Sequence, residues 1–103
     1  MNQVNLIGKV SSAPKFTEFE NGKRVAKFTL ATNETYLDAQ GKPKSRKHWH
    51  KVSAWGRWAK VLEELATVGV NVAIEGKLIS RFYQQNGQKQ VISEVEVNDL
   101  VLM

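Results

Sequence analysis

The sequence predicts an all-β domain, a small barrel of five strands with one short helix between the third and the fourth. Three observations lead there. Apolar residues alternate with polar ones through most of the chain, the period of half-buried strands. That alternation gives way to helical spacing in one place, at Trp58, Val61, Leu62 and Leu65. Turn signals separate the periodic stretches, with Asn21-Gly22 and Asn86-Gly87 as tight-turn pairs and Gly41 and Gly69 between them.

Val4, Leu6 and Val10 give a first strand over about 2–10. Pro14 cannot serve a central ladder, so 11–15 is a bend, with Phe16 and Phe19 in a short continuation. A second strand over about 24–35 puts Ala26, Phe28, Leu30 and Thr32 on one face and Val25, Lys27, Thr29 and Ala31 on the other. The polar stretch from Asp38 to Lys47 contains Gly41 and Pro43 and reads as a loop. A third strand covers about 48–55. Helical spacing then runs from Arg57 to Ala66 and stops before Gly69. Val72, Ile74, Gly76 and Leu78 set a fourth strand over about 71–82. Gln84 to Gln90 reads as a hairpin loop, and a fifth strand over about 91–102 carries Val91, Ser93, Val95, Val97, Leu100 and Leu102. Three strands, a helix and two strands is the order of an OB-fold, a partly open Greek-key barrel that binds oligonucleotides on its second and third strands. An unrelated small β-barrel with an added helix is the other reading of that order.

Bulk properties narrow the function. At 103 residues the chain is one domain over 1–103 with a single core. Its net charge of +5 favours a polyanionic partner. There is no cysteine, which removes disulfides, thiolate nucleophiles and cysteine-ligated zinc and suits a reducing cytoplasm. No signal peptide and no membrane-length apolar run is evident, so no membrane partner is expected.

Chemistry concentrates between Tyr36 and Trp58. Tyr36, Trp49, Trp55 and Trp58 lie there among Lys42, Lys44, Arg46, Lys47, Lys51 and Arg57, with Asp38 as the one acid. Cations hold phosphates and flat rings stack on unpaired bases, the pair of devices that a single-stranded nucleic-acid groove uses. A solvated basic loop beside core tryptophans is the bland alternative. On the third strand Trp49, Lys51, Ser53 and Trp55 share a face that is poor core and good platform, with His50, Val52 and Ala54 opposite. Trp58 belongs to the helix stripe and reads as core. Lys42, Lys44, Arg46, Lys47 and Lys51 are the expected phosphate contacts, extended by Arg81 and with less support by Lys77 and Lys89. His48 and His50 do not make a metal pair without further ligands, so no metal and no cofactor is expected. Glu63 and Glu64 on the helix, and Glu94 and Glu96 on a strand, read as solvent-facing acids rather than a nuclease pair, and no nucleophile stands in a triad context. An enzyme is not expected.

Five blocks of the chain resemble the bacterial single-stranded DNA-binding protein family, in order and over nearly its whole length. They are Leu6-Ile7-Gly8-Lys9-Val10, Val25 through Glu34, Trp49-His50-Lys51-Val52-Ser53-Ala54-Trp55-Gly56, Ile74-Glu75-Gly76-Lys77-Leu78 and Glu94-Val95-Glu96-Val97. The resemblance implies sequence-tolerant binding of single-stranded DNA in replication, recombination and repair. It implies base stacking at Tyr36, Trp49, Trp55 and Tyr83, and a subunit contact near His50. It also implies a homotetramer, for which the apolar outer residues Val25, Ala31 and Ile79 and the edge of the first strand offer cover-seeking surface. The family's acidic C-terminal tip has no counterpart here, so partners recruited by that tip are not expected. A core of a longer protein and a tail-less relative remain open, the latter as a primosomal-type homodimer acting mainly through protein contacts.

Overall fold

The computed structural model describes residues 1–65 and 68–103, apart from the Leu65 side chain. Ala66 and the Leu65 side chain, both assigned to the helix from sequence, lie outside the described residues. Among the described residues, six strands and one helix follow in the order β1 Val4–Val10, β2 Lys15–Glu18, β3 Arg24–Leu37, β4 Pro43–Trp55, α1 Arg57–Leu65, β5 Asn71–Gln85 and β6 Gln88–Leu102. They form one sheet in the order β1-β5-β6-β4-β3-β2, which closes into a barrel through β1–β3 pairing at Lys9↔Ala31 and Val10↔Leu30. The β4–β6 contact is parallel and short, Val52↔Val95 and Ser53↔Glu96. This is the predicted five-stranded barrel, with β2 as the short continuation expected at Phe16.

The bend at 11–15 lets β1 and β2 share the same edge of β3. Around Pro14, side chains take over from the ladder: Ser11 Oγ donates to the Thr29 carbonyl at 3.1 Å and Ser12 Oγ accepts from the Thr29 amide at 2.9 Å. Barrel closure also requires Gly8, because a Cβ there would lie 2.2 Å from the Ala31 carbonyl oxygen. Val10, Leu30, Val52, Val72 and Leu62 are fully buried, and Leu62 and Ala59 of α1 pack into this core with half-buried Trp58 against them. Trp58 therefore sits with the core as read from its spacing.

Two strand expectations change. The loop assigned to 38–47 is only a turn over 38–42, and Pro43 starts β4. Asp38 makes that turn: its Oδ1 accepts from the Gln40 and Lys42 amides at 2.9 and 2.8 Å. The strand was hidden because residues 43–47 have solvent on both faces and so no apolar alternation. In the same way the loop assigned to 84–90 shrinks to Asn86-Gly87, whose φ values of 53° and 75° are those of a tight hairpin turn. Both hairpins thus run beyond the barrel as two-stranded arms. Leu78 and Val91 keep the inward alternation predicted for them, yet are 48% and 58% exposed because no layer covers the arms.

Three burial expectations change as well. Val25, read as an outer apolar residue, is 1% exposed between its ladder partners Thr17 and Trp55. Ser53, read as part of the platform, is fully buried, and its Oγ has no hydrogen-bond partner among the described residues. Glu94, read as solvent-facing, is 5% exposed and bound by Arg81.

Candidate nucleic-acid interface

The β3–β4 register sorts the aromatic and basic residues onto two faces. Ala31↔Trp49, Thr29↔Lys51 and Val25↔Trp55 lie on the outer face, away from the barrel lining, with Lys47 on the same side. Leu30↔His50, Glu34↔Arg46 and Tyr36↔Lys44 lie on the inner face, which continues the lining onto the arm. Tyr36 is therefore on the opposite side of the ribbon from Trp49, a separation that sequence order alone did not reveal.

On the outer face Trp49 is 63% exposed, a ring held out between Lys47 and Lys51 rather than packed. Trp55 is half-buried and stacks on Phe19, with ring centroids 5.7 Å apart and planes 21° from parallel. Between the two tryptophans lies a groove of about 460 Å³ lined by Lys15, Lys27, Lys51, Arg81, Ile92 and Glu94. Lys15 and Lys27 are opposite each other across the β2–β3 ladder. Sequence reasoning missed both as site residues. Lys27 had been placed on the outer face, and the missing fact was that β2 pairs back onto it.

Arg81 Nε donates to Glu94 Oε1 at 2.6 Å. That pair fixes Arg81 over the groove and offsets one of its charges. Tyr83 is two residues along on the same face of β5, 38% exposed, and its hydroxyl donates to Gln90 Oε1 at 2.8 Å, leaving the ring face open. On the inner face the Arg46 guanidinium sits 4.7 Å over the Tyr36 ring. Glu34 lies 4.0 Å from Arg46 and 3.7 Å from His48 Nε2. His50 Nε2 is 2.9 Å from Thr32 Oγ1, opposite Trp49 as the alternation predicts. Lys42 stands at the tip turn and Lys44 next to it on the inner face. Among the described residues no cluster of three or more His, Cys, Asp or Glu side chains forms a metal site.

A larger concavity of about 1250 Å³ lies at the base of the barrel, between Arg24 and Trp55 on one side and Lys60, Glu63 and Glu64 on the other. Its three cations, Lys23, Arg24 and Lys60, are matched by three acids, Glu63, Glu64 and Glu96, and Arg24 is already bound to Glu63, which leaves little net charge for phosphates. The chemistry of the outer groove, not this volume, marks the candidate interface. Exposed rings, flanking cations and a shallow open channel suit a flexible polyanion with unpaired bases.

Comparison with known proteins places the chain as a whole. The model of the single-strand binding protein family matches residues 1–103. The chain is 34% identical over 105 residues to single-stranded DNA-binding protein 1 of Chlorobaculum tepidum, a match that takes in 100% of this chain and 65% of that protein. The chain thus spans just under two thirds of the length of that relative. Among solved structures, the Plasmodium falciparum SSB complex with ssDNA superposes with a TM-score of 0.92 at 30% identity, covering 100% of this chain and 95% of that one. A deletion mutant of the single-stranded DNA binding protein from Thermus aquaticus gives 0.90 at 25% identity, covering 100% of this chain and 50% of that one.

Proposed function

Because this chain belongs to the single-strand binding protein family, we propose that it binds single-stranded DNA without regard to sequence and shields it during replication, recombination and repair. The observation that carries the reading is Trp49, 63% exposed between Lys47 and Lys51 beside the cationic groove. A tryptophan so exposed contributes little to the core, and its ring is free to stack. Bases stack on Trp49, Trp55, Tyr83 and Tyr36. Lys42, Lys44, Arg46, Lys47, Lys51 and Arg81 hold the phosphates, with Lys15 and Lys27 added from the groove. The protein acts as a binding module, not as a catalyst.

Copies of the chain assemble as a homotetramer in this reading. Its support is an outer row of Ile7, Ala73 and Val101 across β1, β5 and β6, in which Ile7 is 67% and Val101 57% exposed. His50 stands near a subunit contact.

Oligo(dT) is expected to quench tryptophan emission, and affinity should fall steeply with salt as cations displaced from phosphates return. Trp49→Ala should weaken binding by about 1–3 kcal/mol, the value of one base–ring stack. A wild-type protein whose emission is unchanged by oligo(dT) at low salt overturns the reading.

A further inference from the structure

Phe82 belongs to no part of the interface described so far. It is 64% exposed, and the Lys89 ammonium sits 5.2 Å from its ring centroid. In the β5–β6 ladder it is opposite Val91, with Ser80↔Ser93 on the barrel side and Gln84↔Lys89 on the tip side of the same face. Hydroxyls, an amide and a cation therefore frame the ring. Val91, directly across the ladder, is its one apolar partner at that rung, and the next apolar pair, Leu78 and Val95, lies two rungs towards the barrel with the two serines between. Tyr83, the next residue, points to the other face.

The same arrangement occurs on the other arm. There Tyr36 on the inner face carries the Arg46 guanidinium at 4.7 Å. Phe82 shares its face with Leu78 and Val95, and Val95 is buried in the core, so Phe82 also continues the barrel lining outward. Each arm thus presents on its inner face one ring with one cation over it. A ring flanked by an ammonium provides both halves of a nucleotide contact, a π-face for the base and a charge for its phosphate.

We propose that Phe82 and Lys89 form a further base-stacking subsite for single-stranded DNA, on the inner face of the second arm. The subsite rests on the single-strand-binding reading and extends it. A long strand engages both faces of the arms, passing where β4 and β6 diverge beyond their short contact at Val52↔Val95 and Ser53↔Glu96.

The test uses the full chain, a long oligo(dT) and three proteins: wild type, Phe82→Leu and Phe82→Trp. Phe82→Leu keeps an apolar side chain at an exposed position, so folding is preserved, but it removes the π-face. It should bind oligo(dT) at least about five-fold more weakly at low salt, the lower end of one base–ring stack, with native mass unchanged. Phe82→Trp should keep wild-type affinity and add quenching beyond that of the wild type. Equal affinity of wild type and Phe82→Leu overturns the subsite while leaving the underlying reading intact. A loss of affinity accompanied by a smaller native mass overturns it too, since the ring would then be a contact between copies. Failure of the wild type to bind removes the underlying reading and the subsite with it.

Discussion

At the scale of single residues, one charge can serve two partners. Arg81 was expected to touch phosphate, and nothing in the sequence tied it to Glu94, thirteen positions away. The fold brings them together diagonally across β5 and β6, with the carboxylate only 5% exposed. Nε is committed to Glu94, while the rest of the guanidinium, on a side chain 46% exposed, still reaches the groove. Arg81→Ala would leave a nearly buried carboxylate without a cation. We expect it to lose about 2 kcal/mol of folding stability, within the range for an orphaned buried polar group, read as a lower denaturant midpoint. Glu94→Gln keeps an acceptor for Nε and removes one negative charge from the groove. It should cost less stability and tighten oligo(dT) binding. If Arg81→Ala unfolds at the wild-type midpoint, the pair has no structural part and Arg81 serves the groove alone.

At the scale of elements, what was legible depended on whether a face is buried. β1, β3 from Arg24 to about Thr32, β5 as far as Gly76 and α1 each bury one side, and their alternation or helical stripe gave their positions to within a few residues. The arms bury neither side. Residues 43–47 and 83–90 therefore looked like loops, although their backbones pair through to the turns at Asp38 and Asn86-Gly87. For the same reason the candidate stacking rings could be named one by one from the sequence, but not their division between outer and inner faces. That division depends on the β3–β4 register. Packing of α1 was legible in its stripe, while its polar tether was not. Arg24 of β3 binds Glu63 of α1 in a charge-assisted hydrogen bond, and also lies 3.7 Å from Glu18 and 4.7 Å from the Phe16 ring. The bond from Arg24 holds the Glu63 carboxyl below its ordinary range. A carboxyl with a depressed folded-state pKa contributes stability that is present above its unfolded pKa and lost as pH falls through the folded value. Stability should thus decline on acidification through the carboxylate range and below, and Glu63→Gln should flatten that part of the profile. A Glu63→Gln variant with the wild-type acid slope would show that the tether contributes nothing; the measurement is denaturant unfolding at a series of pH values.

At the scale of the whole molecule, the single chain is more extended than a compact domain of its length. Its radius of gyration is 15.7 Å and its extents are 56 × 40 × 28 Å, whereas a compact domain of this length has a radius of about 13 Å. The excess is the two arms, which leave both of their faces to solvent. The same chain exposes the Ile7–Ala73–Val101 row, and residues Val4–Gly8 of β1 pair only with β5, so their second edge has no ladder partner among the described residues. An unpaired strand edge near an exposed isoleucine is the kind of surface that a second copy of the chain would cover by continuing the sheet, which is the contact the proposed tetramer calls for. In the proposed tetramer, self-association and strand binding would support each other, because arms projecting from an assembled centre would let one strand pass from copy to copy. The consequence is measurable in solution. Sedimentation of the wild type should give a tetramer, and Ile7→Asp should give a smaller species. Ile7 is 67% exposed in the single chain, so the substitution itself has little folding cost. The smaller species should keep its fold by circular dichroism and its tryptophan quenching by a short oligo(dT), yet lose affinity for a long one, since the linked sites that raise effective concentration are gone. A wild type that sediments as a monomer at concentrations well above those used for binding would overturn the assembly. An Ile7→Asp variant with unchanged mass would place the contact elsewhere than on this row.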